Sequence, residues 1–391
     1  MGYLDQDERD ARLARVREIL RQQDLDLTLV YYDEFNIANA WYLTGWCPQF
    51  ESGAVLVPRE GQPMILGGPE SEPFARQDSA IKETRNLPCF MVPDEEYPNA
   101  TILDWPAIFR EISVKGKVRR AGLVGGERMP MGVYTQIADA FAGVELKDIT
   151  GEYTELRYDK SPWEREQVRK AFQLTDLAIE AIRKAVVPGV TEVEVAAAGE
   201  YAGRKAGASG FGFTAIVGSG ARSNAVVPTA SAKVIKEGEM VMLGISPKCN
   251  GYAGVAGDTV VAGGKPTPAQ KECLKHLAHT FCLTRDALAP GKIGKELYAP
   301  GRAYYDKIGW TKYIVCPFAH TIGLNEAESP FFGPRSTDVL KPGMTVCVDV
   351  SFFGHPEFNG TRIETGYEIT DKGAVPLSPI MDKYLSEAIG R

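Results

Sequence analysis

The sequence predicts a two-domain α/β (α+β) protein: an N-terminal α/β domain over residues 1–153 and a C-terminal domain over residues 154–391. Three observations carry that expectation. The chain has 391 residues, long for one domain and typical of two. Its first part alternates helical and strand patterns. A strong helix-start signal at Ser161 then opens a region in which helices give way to strands.

Taken in order, "ARLARVREILRQQ" places Leu13, Val16, Ile19 and Leu20 on one helical face. "LTLVYY" follows as a buried strand. "GAVLVPREGQPMIL" reads as a hairpin with Pro58 and Gly61 in its turn. "AGLVGG", "MGVYTQIADAFAG" and "VELKDI" form a strand–helix–strand unit. In "DKSPWERE", Ser161 caps a helix, Pro162 takes its first position and Glu164 closes a capping box. Val168, Phe172, Ile179, Ile182 and Val186 face a core from that helix, which stops at Pro188 and Gly189. Thr191 and Glu194 repeat the box for a second helix ending at Gly207. Strand-like runs follow in "FTAIVGSG", "EMVMLGI" and "YAGVAGDTVVAGG", then the helix "PAQKECLKHLAHTFCLTRDALA". The last 80 residues read mainly as strands and turns.

Composition narrows the function classes. The hydrophobic fraction of 44% is ample for a packed core, and the net charge of −7 argues against nucleic acid. The densest basic run, "KGKVRR" at 115–120, reads as a solvated loop. The acidic opening "MGYLDQDERD" has no signal-peptide core, and Gln6 breaks the myristoylation pattern. No apolar run approaches the roughly 20 residues of a membrane helix. Cys47, Cys89, Cys249, Cys273, Cys282, Cys316 and Cys347 are scattered and odd in number, which reads as reduced thiols in a cytoplasmic protein.

Histidine is scarce, with four in the chain. His276 and His279 read as the polar face of a helix whose Leu274, Leu277 and Phe281 point inward, rather than as a metal pair. His355, in "FFGHPEFNG", reads as a surface residue. His320 differs: "CPFAHTIGLNEAESP" sets it at an apolar strand end, ahead of Glu326 and Glu328. Asp349 lies inside the apolar run "LKPGMTVCVDVSFF", and Glu364 lies in "GTRIETGYEIT" with Arg362 two residues earlier on the same face. Carboxylates inside apolar strands are costly to bury without partners. His320, Asp349 and Glu364 are therefore expected to share a site.

These segments resemble the pita-bread-fold hydrolases, the family of aminopeptidase P, prolidase, methionine aminopeptidase and creatinase. "LRYDKSPWEREQVRKAF" resembles its entry helix, "PGVTEVEVAA" its second helix, and "HTIGLNEAESP", "LKPGMTVCVDV" and "GTRIETGYEIT" three of its site motifs. The resemblance implies a creatinase/prolidase-type N-terminal domain, a C-terminal pita-bread domain and a homodimer. It also implies two metal ions held by Asp, Asp, His, Glu and Glu. The last three positions match His320, Asp349 and Glu364. The first two fall on Gly244 and Val255, which offer no donor. Asp258, three residues beyond Val255, would reach the site only through a bulge. The two histidines that flank the scissile bond in relatives fall on Val227 and Ala327.

No dinuclear metal centre is therefore expected. One divalent ion on His320, Asp349 and Glu364 stays open, since three protein ligands suffice for a catalytic zinc. The first expectation is a creatinase-like, metal-independent hydrolase cleaving a C–N bond of a small nitrogenous substrate. In it His320 moves protons, and Asp349 and Glu364 face the substrate's cation, with Arg362 or Lys248 adding positive charge. The loop "GWCPQFESGAVLV" resembles a creatinase segment that enters the neighbouring subunit's pocket, which makes Phe50 and Glu51 candidate substrate contacts and places loop 47–53 near the partner. Alternatives are an Xaa-Pro peptidase with an altered single-metal site, a catalytically silent pita-bread module that binds a partner, and a lyase.

Overall fold

The computed structural model describes residues 4–112 and 118–389, so the basic run at 115–120 lies partly outside the described residues. The chain divides into two compact units, Met1–Arg157 and Tyr158–Arg391. The division comes after Tyr153 because that residue belongs to a helix of the first unit. Its hydroxyl donates to the Asn39 carbonyl at 2.6 Å, and its ring meets that of Tyr42 edge-on.

The first unit is built on a six-stranded mixed sheet. Its strands are β1 (Leu27–Tyr32), β2 (Gly53–Pro58), β3 (Met64–Gly67), β4 (Thr84–Asn86), β5 (Arg120–Val124) and β6 (Glu145–Asp148), in the order β4-β3-β2-β1-β5-β6. The hairpin β2–β3 is antiparallel, and β1, β5 and β6 run parallel, as strand–helix–strand connections require. Helix α1 (Gln6–Gln22) buries Leu13, Val16, Ile19 and Leu20, the face its periodicity marks. Helices α2 (Ala38–Thr44), α3 (Glu72–Asp78), α4 (Trp105–Ile112), α5 (Met131–Ala140) and α6 (Thr150–Glu155) complete the unit. Trp105 and Ile108 of α4, Ile137 of α5 and neighbouring Phe141 share one core with Leu27, Leu29 and Tyr31.

The second unit opens with α7 (Pro162–Ala185) and α8 (Glu192–Lys205), each begun by a complete capping box, on Ser161 with Glu164 and on Thr191 with Glu194. A small antiparallel sheet joins β7 (Gly210–Phe211), β10 (Pro247–Cys249) and β11 (Tyr252–Ala253). The large antiparallel sheet contains β8 (Ile216–Ser219), β9 (Met240–Ile245), β12 (Ala256–Val261), β13 (Ala319–Thr321), β14 (Glu328–Phe331), β15 (Thr345–His355), β16 (Asn359–Thr370) and β17 (Gly373–Pro376). Their order is β14-β13-β15-β16-β12-β9-β8, with β17 beside β16. Helices α9 (Pro268–Asp286), α10 (Gly294–Ile308) and α11 (Pro379–Ile389) follow their places in the chain.

The helices define which face of the large sheet is free for chemistry. Leu277 and Phe281 of α9 and Leu297 and Tyr305 of α10 pack with Val346, Val348, Val350 and Ile363. Ile179 and Ile182 of α7 pack with Leu243, Ile245 and Ala256. Successive side chains on a strand point to opposite faces. Cys347, Asp349, Arg362 and Glu364 therefore project from the other face, the one toward which a Cβ at Gly244 or Gly257 would point. All seven cysteines are free, and among the described residues no helix is long and apolar enough to cross a membrane.

Candidate active site

Strand register assembles the site. Asp349 of β15 stands directly opposite Glu364 of β16, and Glu364 stands opposite Gly257 of β12. Gly257 in turn pairs with Gly244 of β9, so one row crosses four strands. One step along, His320 of β13 pairs with Cys347 of β15. Three of the residues expected to meet are thus brought together by the ladder, with Arg362 two residues from Glu364 on the same face.

Glu364 is the hub. Its Oε1 lies 3.7 Å from His320 Nε2 and accepts from the Cys347 thiol at 3.3 Å, while its Oε2 lies 3.8 Å from Arg362 Nε. Arg362 Nε donates to Asp349 Oδ1 at 3.0 Å. Glu326 approaches from the loop after β13, with Oε1 3.8 Å from His320 Nε2. The ring nitrogen on the other side of His320, Nδ1, lies 3.0 Å from its neighbour's carbonyl, Thr321 O.

These groups set one another's protonation. Burial works against the charged Glu364, yet His320 and Arg362 outweigh it and hold the carboxyl at about 2. Burial also opposes a charged His320, but the Glu364 and Glu326 carboxylates win and raise it to about 9. Glu326 is pushed up to about 8 by burial and by the neighbouring charge of Glu364. Asp349 is raised to about 6, mainly by burial, with Arg362 pulling the other way. At neutral pH His320 and Glu326 therefore hold protons, and an entering cation would displace them.

Several expectations need correction. Asp349 does not join the donor group; its carboxylate is committed to Arg362. The donor atoms that lie within 4.8 Å of one another belong to His320, Glu326, Cys347 and Glu364. The sequence reading does not include Glu326 and Cys347 as donors, although a signal exists for each. Glu326 follows His320 in one loop, and Cys347 lies two residues from Asp349 on the same strand face. Asp258 stays out of the site, as its odd offset from Val255 implies: β12 and β9 keep unbroken register from Ala256 to Val261, and the carboxylate pairs with Arg183 of α7 on the opposite face. Lys248 is also turned elsewhere, donating to the Leu324 carbonyl at 3.0 Å. Glu51, expected to meet a ligand, is buried, its oxygens accepting from the backbone N–H groups of Ser71 at 2.8 Å and Glu70 at 3.2 Å. Phe50 beside it is 83% exposed, at a φ of 65°. His355 is not a free surface residue; it stacks on Phe358 at 4.7 Å and meets Tyr313 and Trp310. His276 lies 2.7 Å from the Tyr304 hydroxyl, outside the donor group.

A dinuclear centre does not fit these residues. Gly244 has no side chain, and a Cβ there would come within 3.1 Å of Ile216. A Cβ on Gly257 would lie 2.8 Å from Arg362 Cδ, so the arginine stem fills the space over that strand. Val255 is fully buried and apolar. The four converging donors do fit one divalent ion. Their donor atoms all lie within 4.8 Å of one another, with spacings that include 3.3, 3.7 and 3.8 Å, close enough to share one ion.

Comparison with known proteins places the chain. The profile of metallopeptidase family M24 matches residues 166–371, and that of the creatinase/prolidase N-terminal domain matches residues 12–158. The uncharacterized peptidase YqhT of Bacillus subtilis is 32% identical over 245 residues, which span 63% of this chain and 69% of that protein. An Xaa-Pro dipeptidase of Pyrococcus furiosus is 31% identical over 234 residues, 60% of this chain and 67% of that protein. The crystal structure of the prolidase from Pyrococcus horikoshii OT3 shares the fold, with a TM-score of 0.80 at 22% identity over 94% of this chain and 98% of that one. The class defined by the fold and the site is the pita-bread hydrolases of the creatinase/prolidase kind. The chain belongs to metallopeptidase family M24 and is a hydrolase of C–N bonds.

Proposed function

We propose that this protein is an Xaa-Pro dipeptidase-type hydrolase whose centre takes one divalent ion instead of two. The observation that carries this reading is the convergence of His320, Glu326 and Glu364 on one point, beside hairpin positions Gly244 and Val255 that offer no donor. Similarity to dipeptidases that act on Xaa-Pro substrates supports the substrate class over a guanidine or amidine. The metal-independent creatinase-like reading has the weaker support, because the donor atoms of His320, Glu326, Cys347 and Glu364 already converge closely enough to share an ion.

His320, Glu326 and Glu364 would hold the ion, which would supply Lewis acidity toward a carbonyl oxygen. The chain's own residues do the rest. Glu364 anchors the donor group and keeps His320 oriented. Asp349 fixes Arg362, whose positive charge draws the substrate's carboxylate or a developing oxyanion.

The test is elemental analysis of protein purified without chelator, combined with turnover of Xaa-Pro dipeptides and of small guanidino compounds. About one ion per chain, with dipeptide hydrolysis that chelation abolishes, is the expected result. Two ions per chain, or turnover of guanidino compounds that chelation leaves intact, would overturn it.

We also place the protein in a homodimer, with loop 47–53 of one copy near the pocket of the other. Exposed Phe50 and Phe74 line a hollow of about 450 Å³ with Trp46 and Cys47, an apolar surface suited to burial. Light scattering should return about twice 42.7 kDa. A monomer at micromolar concentration would sink the arrangement.

A further inference from the structure

The single-ion centre proposed above has a donor that no carboxylate/histidine scheme provides, the Cys347 thiol. Cys347 is fully buried on β15, directly opposite His320 in the ladder, and its sulfur lies 3.3 Å from Glu364 Oε1. Its Sγ belongs to the group of donor atoms within 4.8 Å of one another, together with His320, Glu326 and Glu364. Two other thiols serve as internal contrasts. Cys316, also near Arg362, has its sulfur 3.5 Å from the Ser351 hydroxyl, and Cys249 faces Gln167. Neither belongs to that group.

We propose that Cys347 is a ligand of the ion, so that the centre is a His/Cys/carboxylate site selective for zinc-like cations over manganese and magnesium. The inference rests on the single-ion reading and deepens it. In the ion-free chain the thiol donates its hydrogen to Glu364. A metal ligand must be the thiolate, so binding breaks the S–H bond, releases that proton to solvent and forms a metal–sulfur bond with no change of oxidation state. Thiolate and imidazole suit zinc, cobalt and iron, whereas oxygen-only sets suit manganese and magnesium. The donors come from three separate segments, β13 and its following loop, β15 and β16. The site therefore exists only in the folded chain, and zinc uptake should stabilise it. With four protein donors, an ion held there would have to add a fifth ligand to take substrate, as catalytic zinc can when it becomes five-coordinate.

The experiment uses the full chain stripped of metal and titrated with Co²⁺, read by absorption. Expected are visible d–d bands and a near-ultraviolet thiolate-to-cobalt charge-transfer band, both saturating at one equivalent. Cys347→Ser should lose the charge-transfer band while keeping the d–d bands, and should bind zinc at least about tenfold more weakly. Cys316→Ser should keep both bands. Because the charge-transfer band is read first in the unaltered chain, the test survives a Cys347→Ser variant that does not fold. Cobalt uptake with d–d bands alone would overturn the thiolate ligand and leave the single-ion reading standing. No uptake at all would remove both.

Discussion

Glu364→Gln is expected to lower kcat/KM by at least about a hundredfold, within the range that a positioned acid–base group supplies. The reason lies in what the carboxylate touches. Its oxygens lie 3.7 Å from His320, 3.8 Å from Arg362 and 3.3 Å from the Cys347 sulfur, and it is 2% exposed. Glutamine has the same shape but no charge to face the two cationic groups, and it offers one oxygen where the carboxylate offers two. The loss holds whether or not an ion is bound, since one form needs the ligand and the other needs the imidazole held in place. The fold should tolerate the change. The isosteric amide keeps the packing of the side chain, although the charge pairing with His320 and Arg362 is lost. Steady-state kinetics alongside a melting curve decide the matter. Activity within fivefold of the parent, with unchanged Tm, would show that Glu364 stands outside the reaction.

The second large effect is on stability. Glu192, at the start of α8, is fully buried. Its carboxylate accepts five hydrogen bonds: Ser219 N and Oγ at 2.8 Å each, Arg222 Nε at 2.8 Å, Ser231 N at 3.1 Å and Ser231 Oγ at 2.7 Å. One side chain thus ties the helix N-terminus to β8 and to the two segments after it. Glu192→Ala would leave buried donors without an acceptor, costing about 3 kcal/mol or more. For a domain of this size that is a fall of roughly 6–12 °C in Tm. Burial alone would raise the carboxyl pKa, but the donors outweigh it and hold the group below the ordinary carboxylate range. The contribution is therefore present above the unfolded pKa of about 4.3 and is lost as pH falls through the lower folded value. Parent and variant should converge in Tm at strongly acidic pH. A difference at pH 7 of less than about 2 °C would refute the account.

Much of this molecule is legible in its sequence because the signals are local. A capping box needs two residues three apart, so Ser161 with Glu164 and Thr191 with Glu194 mark their helices without reference to anything distant. The 3.6-residue spacing of Leu13, Val16 and Leu20 does the same for α1. Where local signals conflict, the reading fails. Helix α10 carries Pro300 in its interior, which argues against a helix by propensity. It forms because packing overrides that cost: Tyr298 stacks on Phe318 at 4.9 Å and Tyr305 is fully buried. The short helices α2, α3 and α4 leave too few turns for a periodic pattern, and packing on the sheet decides them as well.

By itself the sequence determined the two-unit α/β plan, the family to which the motifs belong, and the loss of donors at Gly244 and Val255, since residue identity alone settles whether a side chain can bind a cation. Only the tertiary structure decided which groups meet. Alternation put Asp349 and Glu364 on one face, but cross-strand register chose their partners. It sent Asp349 to Arg362, brought Cys347 opposite His320, and turned Asp258 to Arg183 behind the sheet. It likewise took Glu51 out of contention, because two backbone N–H groups nineteen and twenty residues away in the chain claim its oxygens. Hydrogen bonding and charge pairing act over a few ångströms, and which residues come that close is a property of the folded chain.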